Sequence, residues 1–134
     1  MAARQPERRN MAQDKWINDR DLVSQPQVRG DAVVASLRGE IDLHTSNVLR
    51  SQMMAIQSRC RPKRLILNLD QVPYMDSSAV AVLVEVLQLM RPGGGGVVLV
   101  GLQPRVKGLM EIARLDTLFG IAATEDEALA RPSS

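Results

Sequence analysis

The chain has 134 residues, 45% of them apolar but only 2% aromatic, so its core must be built from Val, Leu, Ile, Met and Ala. That length bounds one domain with a tail, large enough to fold without disulfide or metal staples, and the single cysteine, Cys60, excludes an internal disulfide and fits a reducing compartment. The net charge of +2 lies wholly in residues 1–20, leaving a neutral body without the basic face that a nucleic-acid footprint needs.

Residues 1–20 set Arg4, Arg8, Arg9, Lys15 and Arg20 against Glu7, Asp14 and Asp19. This polar stretch reads as a flexible extension ahead of a domain spanning 21–134, with Trp16 and Ile17 as its only means of docking on the body. It lacks the apolar centre of a secretory signal, and no later run has transmembrane length, so a cytoplasmic protein is expected.

From Asp21 the pattern changes. Leu22 to Val28 predicts a weak strand at a sheet edge, because Pro26 offers no ladder donor. Gly30-Asp31 makes a turn, and Ala32 to Arg38 is a strand with Val33, Ala35 and Leu37 on one face. Gly39-Glu40-Ile41-Asp42 leaves that strand. Thr45 or Ser46 then caps a helix running to about Ser58, with Leu49, Met53 and Ile56 along one side. The basic run Arg59-Cys60-Arg61-Pro62-Lys63-Arg64 reads as a solvated helix-to-strand loop in preference to a phosphate-binding patch.

Leu65 to Leu69 is interrupted only by Asn68, the signature of a strand covered on both faces. Ser77 to Met90 is nearly all Ala, Val and Leu, with Ser78, Glu85 and Gln88 as its polar line, and its unbroken length favours a helix. Pro92 and Gly93 to Gly96 end it. The four glycines precede a strand and lack the Lys-Ser/Thr of a phosphate loop, so they read as a flexible connection. Val97 to Val100 is a further buried strand. Pro104 opens a helix with Val106, Leu109, Met110 and Ala113 inward, Phe119 to Ala122 is a short strand, and Thr124-Glu125-Asp126-Glu127 is a capping box for a final helix. The alternation implies an α/β fold: a small mixed, mostly parallel sheet of four to five strands, the first pair antiparallel, with about four helices packed on it.

Chemistry concentrates at Asp76-Ser77-Ser78, where a buried strand turns into the apolar helix. Ser77 occupies the place of a nucleophile elbow, but the flanking glycines are missing and the only histidine, His44, heads another helix. One Cys, one His and scattered carboxylates give no recognisable metal-ligand spacing. Two readings stand side by side. Asp76 is an N-cap with both serines merely filling the first turn, or Ser77 is a modification site whose phosphate, about −1.5 to −2 charges, switches a binding surface without melting the helix.

Three segments resemble, in order, the anti-sigma-factor antagonist family, the STAS domain. They are Leu37-Arg-Gly-Glu-Ile-Asp42 with Thr45 at a helix start, Leu65 to Asp70 running on to Met75-Asp76-Ser77-Ser78, and Val98 to Pro104 with Val106 and Leu115. The resemblance covers about Leu22 to Ala130. It implies a STAS-like fold and a binding protein that is not an enzyme and needs no cofactor of its own. An anti-sigma factor with serine kinase activity and bound ATP would phosphorylate Ser77. The unphosphorylated form would bind that factor and free the sigma factor, the phosphorylated form would release it, and a serine phosphatase would reset the switch. By the same matching, Asp76 and Ser78 flank the site, and Glu40, Asp42 and Thr45 lie on a loop near it. The family usually continues with Gly where this chain has Ala79, whose added methyl would meet an approaching partner. The alternative is a constitutive STAS subunit of a larger signalling scaffold or lipid-transport complex, without phospho-switching.

Overall fold

The computed structural model describes residues 22–131, so the expected extension at 1–20, with Trp16 and Ile17, lies outside the described residues. Five strands form one sheet in the order β1-β2-β3-β4-β5: Gln27–Arg29, Ala32–Arg38, Arg64–Gln71, Gly96–Val100 and Gly120–Ala122. The first pair is antiparallel and the other three are parallel. Four α-helices follow the connections: α1 (Ser46–Cys60), α2 (Ser77–Met90), α3 (Pro104–Ile112) and α4 (Glu125–Ala130).

Sequential strand order explains where the helices lie. Each parallel crossover steps to the next position in the same direction, and right-handed crossovers stepping one way put their helices on one face. Val33, Leu65 and Val97, and one layer on Ala35, Leu67 and Leu99, are aligned across the sheet on that face. They pack with Leu49, Met53 and Ile56 of α1, Leu83 and Val86 of α2, and Val106 and Met110 of α3 in the main core. Burying each such leucine contributes about 1.5–3 kcal/mol.

The opposite face carries Val34, Ile66, Val98 and Ala122 and is covered by Ala128 of α4. Asn68, the interruption in the apolar run of β3, has its reason here. Its amide donates to Glu125 at 2.9 Å, and four residues back Arg64 donates to the carbonyls of Ala128, Leu129 and Arg131. β3 thus holds both ends of α4.

Several expectations are corrected. The first strand is shorter than Leu22–Val28: Gln25-Pro26 separates Gln27–Arg29 from a lone antiparallel bridge between Val23 and Leu37. Helix α1 runs two residues past Ser58, ending where Arg61 takes a left-handed conformation. Arg64 does not join a solvated loop, since its side chain is only 12% exposed. The glycine stretch is an ordered turn. A Cβ on Gly95 would stand 2.8 Å from the Lys63 carbonyl, an approach only glycine allows. Ala113 lies beyond the end of α3 and is exposed.

Candidate functional site

Beyond the C-terminal edge of the sheet, two loops run side by side. The first leaves β2 at Gly39, whose φ of +83° is a turn only glycine enters freely. The second leaves β3 at Gln71. Backbone bonds join them rung by rung: Gly39 N–H to Gln71 C=O at 2.9 Å, Ile41 N–H to Tyr74 C=O at 3.0 Å, and Asp76 N–H to Ile41 C=O at 3.1 Å. Ile41 and Met75 sit opposite each other as a parallel bridge, both buried. The sheet therefore continues, in part, up to the head of α2.

Asp76 is the N-cap of α2. Its Oδ1 accepts the Ser78 hydroxyl and the N–H groups of Ser78 and Ala79, at 2.5, 2.9 and 3.3 Å. Its Oδ2 accepts the Leu43 N–H of the neighbouring loop at 3.1 Å. The Ser78 hydroxyl foremost, with the N–H groups of Ala79, Ser78 and Leu43, holds this carboxyl below the usual aspartate range against the upward push of partial desolvation. One side chain caps the helix and pins the loop.

That loop is organised by Asp42 and Thr45. The Asp42 carboxylate accepts the N–H groups of His44 and Thr45 at 2.9 and 3.2 Å, and the Thr45 hydroxyl accepts the Asp42 N–H at 3.0 Å. Thr45 stands at the N-cap of α1, yet its hydroxyl bonds backward to Asp42 and the Glu40 carbonyl, and caps no helical N–H. The Glu40 side chain is exposed. So the structure brings Asp42 and Thr45 to the α2 head through the backbone of Leu43, a residue the sequence pattern does not single out.

Ser77, first residue of α2, differs from its neighbours. It is exposed, and among the described residues its hydroxyl has no hydrogen-bond partner. No hydrogen bond joins it to the His44 ring. Ala79 points the other way: it is fully buried in the main core, so its methyl fills the interior and meets no partner.

A groove of about 520 Å³ opens beside Ser77, between the β3–α2 loop and α3. Tyr74, Asp76 and Ser77 line one wall, and Arg105, Leu109 and Ile112 line the other. The Arg105 guanidinium stands 5.1 Å from the centre of the Tyr74 ring. Ile112 is 85% exposed here, and Leu43, whose N–H donates to Asp76, is 71% exposed. Sequence reasoning missed Tyr74, Arg105 and Ile112. The one available signal was Arg105 itself, a cation in the first turn of a helix, where the dipole disfavours it.

A family model for the STAS domain matches residues 24–128. The chain belongs to the STAS domain family. Among its relatives is the anti-sigma F factor antagonist of Paenibacillus polymyxa, 30% identical over 97 residues that cover 72% of this chain and 83% of the relative. Solved structures share the fold. An anti-sigma factor antagonist from Mycobacterium paratuberculosis superposes with a TM-score of 0.72 at 23% identity, covering 84% of this STAS chain and 96% of that one. The antagonist SpoIIAA, at 24% identity, gives TM-scores of 0.67 in its unphosphorylated form and 0.61 in the phosphorylated form of the Bacillus protein. These cover 78% of this chain, and 91% and 95% of the SpoIIAA chains.

Proposed function

We propose that this STAS protein is an anti-sigma factor antagonist whose binding to an anti-sigma factor with serine kinase activity is switched off by phosphorylation of Ser77. The observation that carries this is the contrast between two adjacent hydroxyls. Ser78 spends its proton on Asp76 and is half-buried, whereas Ser77 is exposed and unbonded. A kinase needs an accessible acceptor oxygen, so Ser77 is the better substrate. In the transfer the Ser77 Oγ–P bond forms as the bond from the γ-phosphorus to the β-phosphate bridging oxygen of ATP breaks. ADP leaves, and the hydroxyl proton passes to a base of the kinase. A serine phosphatase reverses the state by hydrolysis.

The names of the relatives support an anti-sigma factor as the partner, and SpoIIAA, solved with and without phosphate, supports a switch of this type. The exposed Leu43 and Ile112 supply apolar contact around the hydroxyl, and a phosphate introduced between them desolvates poorly in such an interface. This makes the chain a binding protein rather than an enzyme, acting in the cytoplasm where sigma factors work. Residues 21–134 carry the function, with 1–20 as an extension. The test uses the anti-sigma kinase of the same host with labelled ATP. The wild type should take up a single phosphoryl group and Ser77→Ala none. Full labelling of Ser77→Ala sinks the assignment. Absence of phosphate from the native protein under all growth conditions, with Ser77→Ala silent, would point to a constitutive module.

A further inference from the structure

The helix head leaves a phosphate on Ser77 short of partners. Helix N-termini usually receive anions through their free N–H groups, but here the N–H groups of Ser78 and Ala79 already donate to Asp76, leaving that of Ser77 itself. The same carboxylate, one residue away, repels a second anion. Compensation must come from elsewhere, and the groove wall opposite supplies it. Arg105 is the one cation lining that groove among the described residues. It pairs with no carboxylate among them; its only contact of note is the face of Tyr74. Its place in the first turn of α3 works against that helix's own dipole, so it is not there to stabilise α3.

We infer that Arg105 is a phosphate latch: once Ser77 carries a phosphate, the guanidinium leaves the Tyr74 ring and closes across the groove onto it. This rests on Ser77 being the residue modified. A cation–π contact at an exposed site is weak, whereas a guanidinium–phosphate pair is charge-assisted and bidentate, so the exchange runs toward the phosphate. The latch also neutralises the one positive charge that lines the groove among the described residues, at the moment the phosphate appears. A partner that relied on Arg105 as well as on the Ser77 hydroxyl then loses both together. The charged and titratable groups facing the phosphate are Asp76 from its own helix cap, Tyr74 from the preceding loop and Arg105 from α3.

The latch is testable without the kinase, by installing phosphoserine at position 77 during translation of the full chain. A ³¹P titration reads the second ionisation of that phosphate, which a nearby guanidinium lowers. The wild-type midpoint should lie roughly 0.5 pH unit below that of Arg105→Gln, with Arg105→Lys in between. Tyr74 is the only tyrosine, so its ring resonances report directly. They should move on phosphorylation in the wild type and stay fixed in Arg105→Gln. Equal ³¹P midpoints in wild type and Arg105→Gln, with a Tyr74 ring indifferent to phosphate, overturn the latch. Because no kinase enters the measurement, that failure is distinct from a failure of Ser77 to be phosphorylated in the cell.

Discussion

The heads of α2 and α4 begin with similar material, a polar cap followed by more hydroxyls or carboxylates, and end up with opposite characters. At α4 Thr124, Glu125 and Glu127 are engaged. Thr124 accepts the Glu127 N–H at 3.1 Å, Glu127 reaches back to the Ala123 N–H at 3.3 Å, and Glu125 accepts Asn68 from the sheet. The capping box is present, shifted by one residue from its usual return to the cap's own N–H. At α2 the cap serves two elements at once. Asp76 holds Ser78, Ala79 and a foreign loop, and leaves Ser77 over. At α4 the cap and two of its three carboxylates serve the helix and the sheet, with Asp126 alone left to solvent. The α2 head holds its own turn and a second loop through one carboxylate and keeps the Ser77 hydroxyl unbonded.

The sharpest way to break that contrast is to charge the α2 head and uncap the α4 head. Ser77→Asp is expected to weaken binding to the anti-sigma factor on the order of a hundredfold, because a carboxylate placed in a desolvated interface costs several kcal/mol. Its melting temperature should stay close to wild type, since the side chain is exposed. A Kd within about threefold of wild type, a difference well under 1 kcal/mol, would place Ser77 outside the interface. Next in size is Thr124→Ala, which removes the α4 cap and should lower stability by about 1 kcal/mol in denaturant titration. It should leave partner affinity alone, and a loss of binding would make α4 part of the contact surface.

The smallest effect concerns Asp76 and pH. A carboxyl whose folded-state value is lowered contributes stability fully above the usual aspartate pKa of about 4, and that contribution is lost as pH falls through the lowered value. Ser78→Ala removes the largest cause of the lowering. Asp76 should then titrate at higher pH by NMR than in the wild type, and the acid limb of the stability profile should move the same way. An unchanged Asp76 midpoint would show that the hydroxyl contact is not what holds the carboxyl.

Much of this was legible in the order of residues. Helix α2 spans Ser77–Met90 as its unbroken apolar run predicts, and Asp76 caps it as its side chain allows. The parallel strands follow from short apolar runs alternating with longer ones, a local pattern that survives folding because each element buries the face its sequence paints. The misses share one physical cause. Gly95 acts through the neighbour it approaches, Arg64 and Asn68 through a helix some sixty residues downstream, and Ala79 through the direction its methyl takes.

By itself, then, the sequence determined the elements, their mostly parallel arrangement and the position of the one hydroxyl-rich turn, because propensity, capping and hydrophobic period are properties of neighbouring residues. Ser78 is occupied by a bond to Asp76 two residues away, a local cap; only the tertiary structure decided what surrounds the serine left free. Those surroundings are Leu43, whose N–H reaches Asp76 from the neighbouring loop, and Arg105, which lines the groove from α3. Contacts between residues about thirty positions apart are made by the sheet that brings their loops together, and no local pattern encodes them.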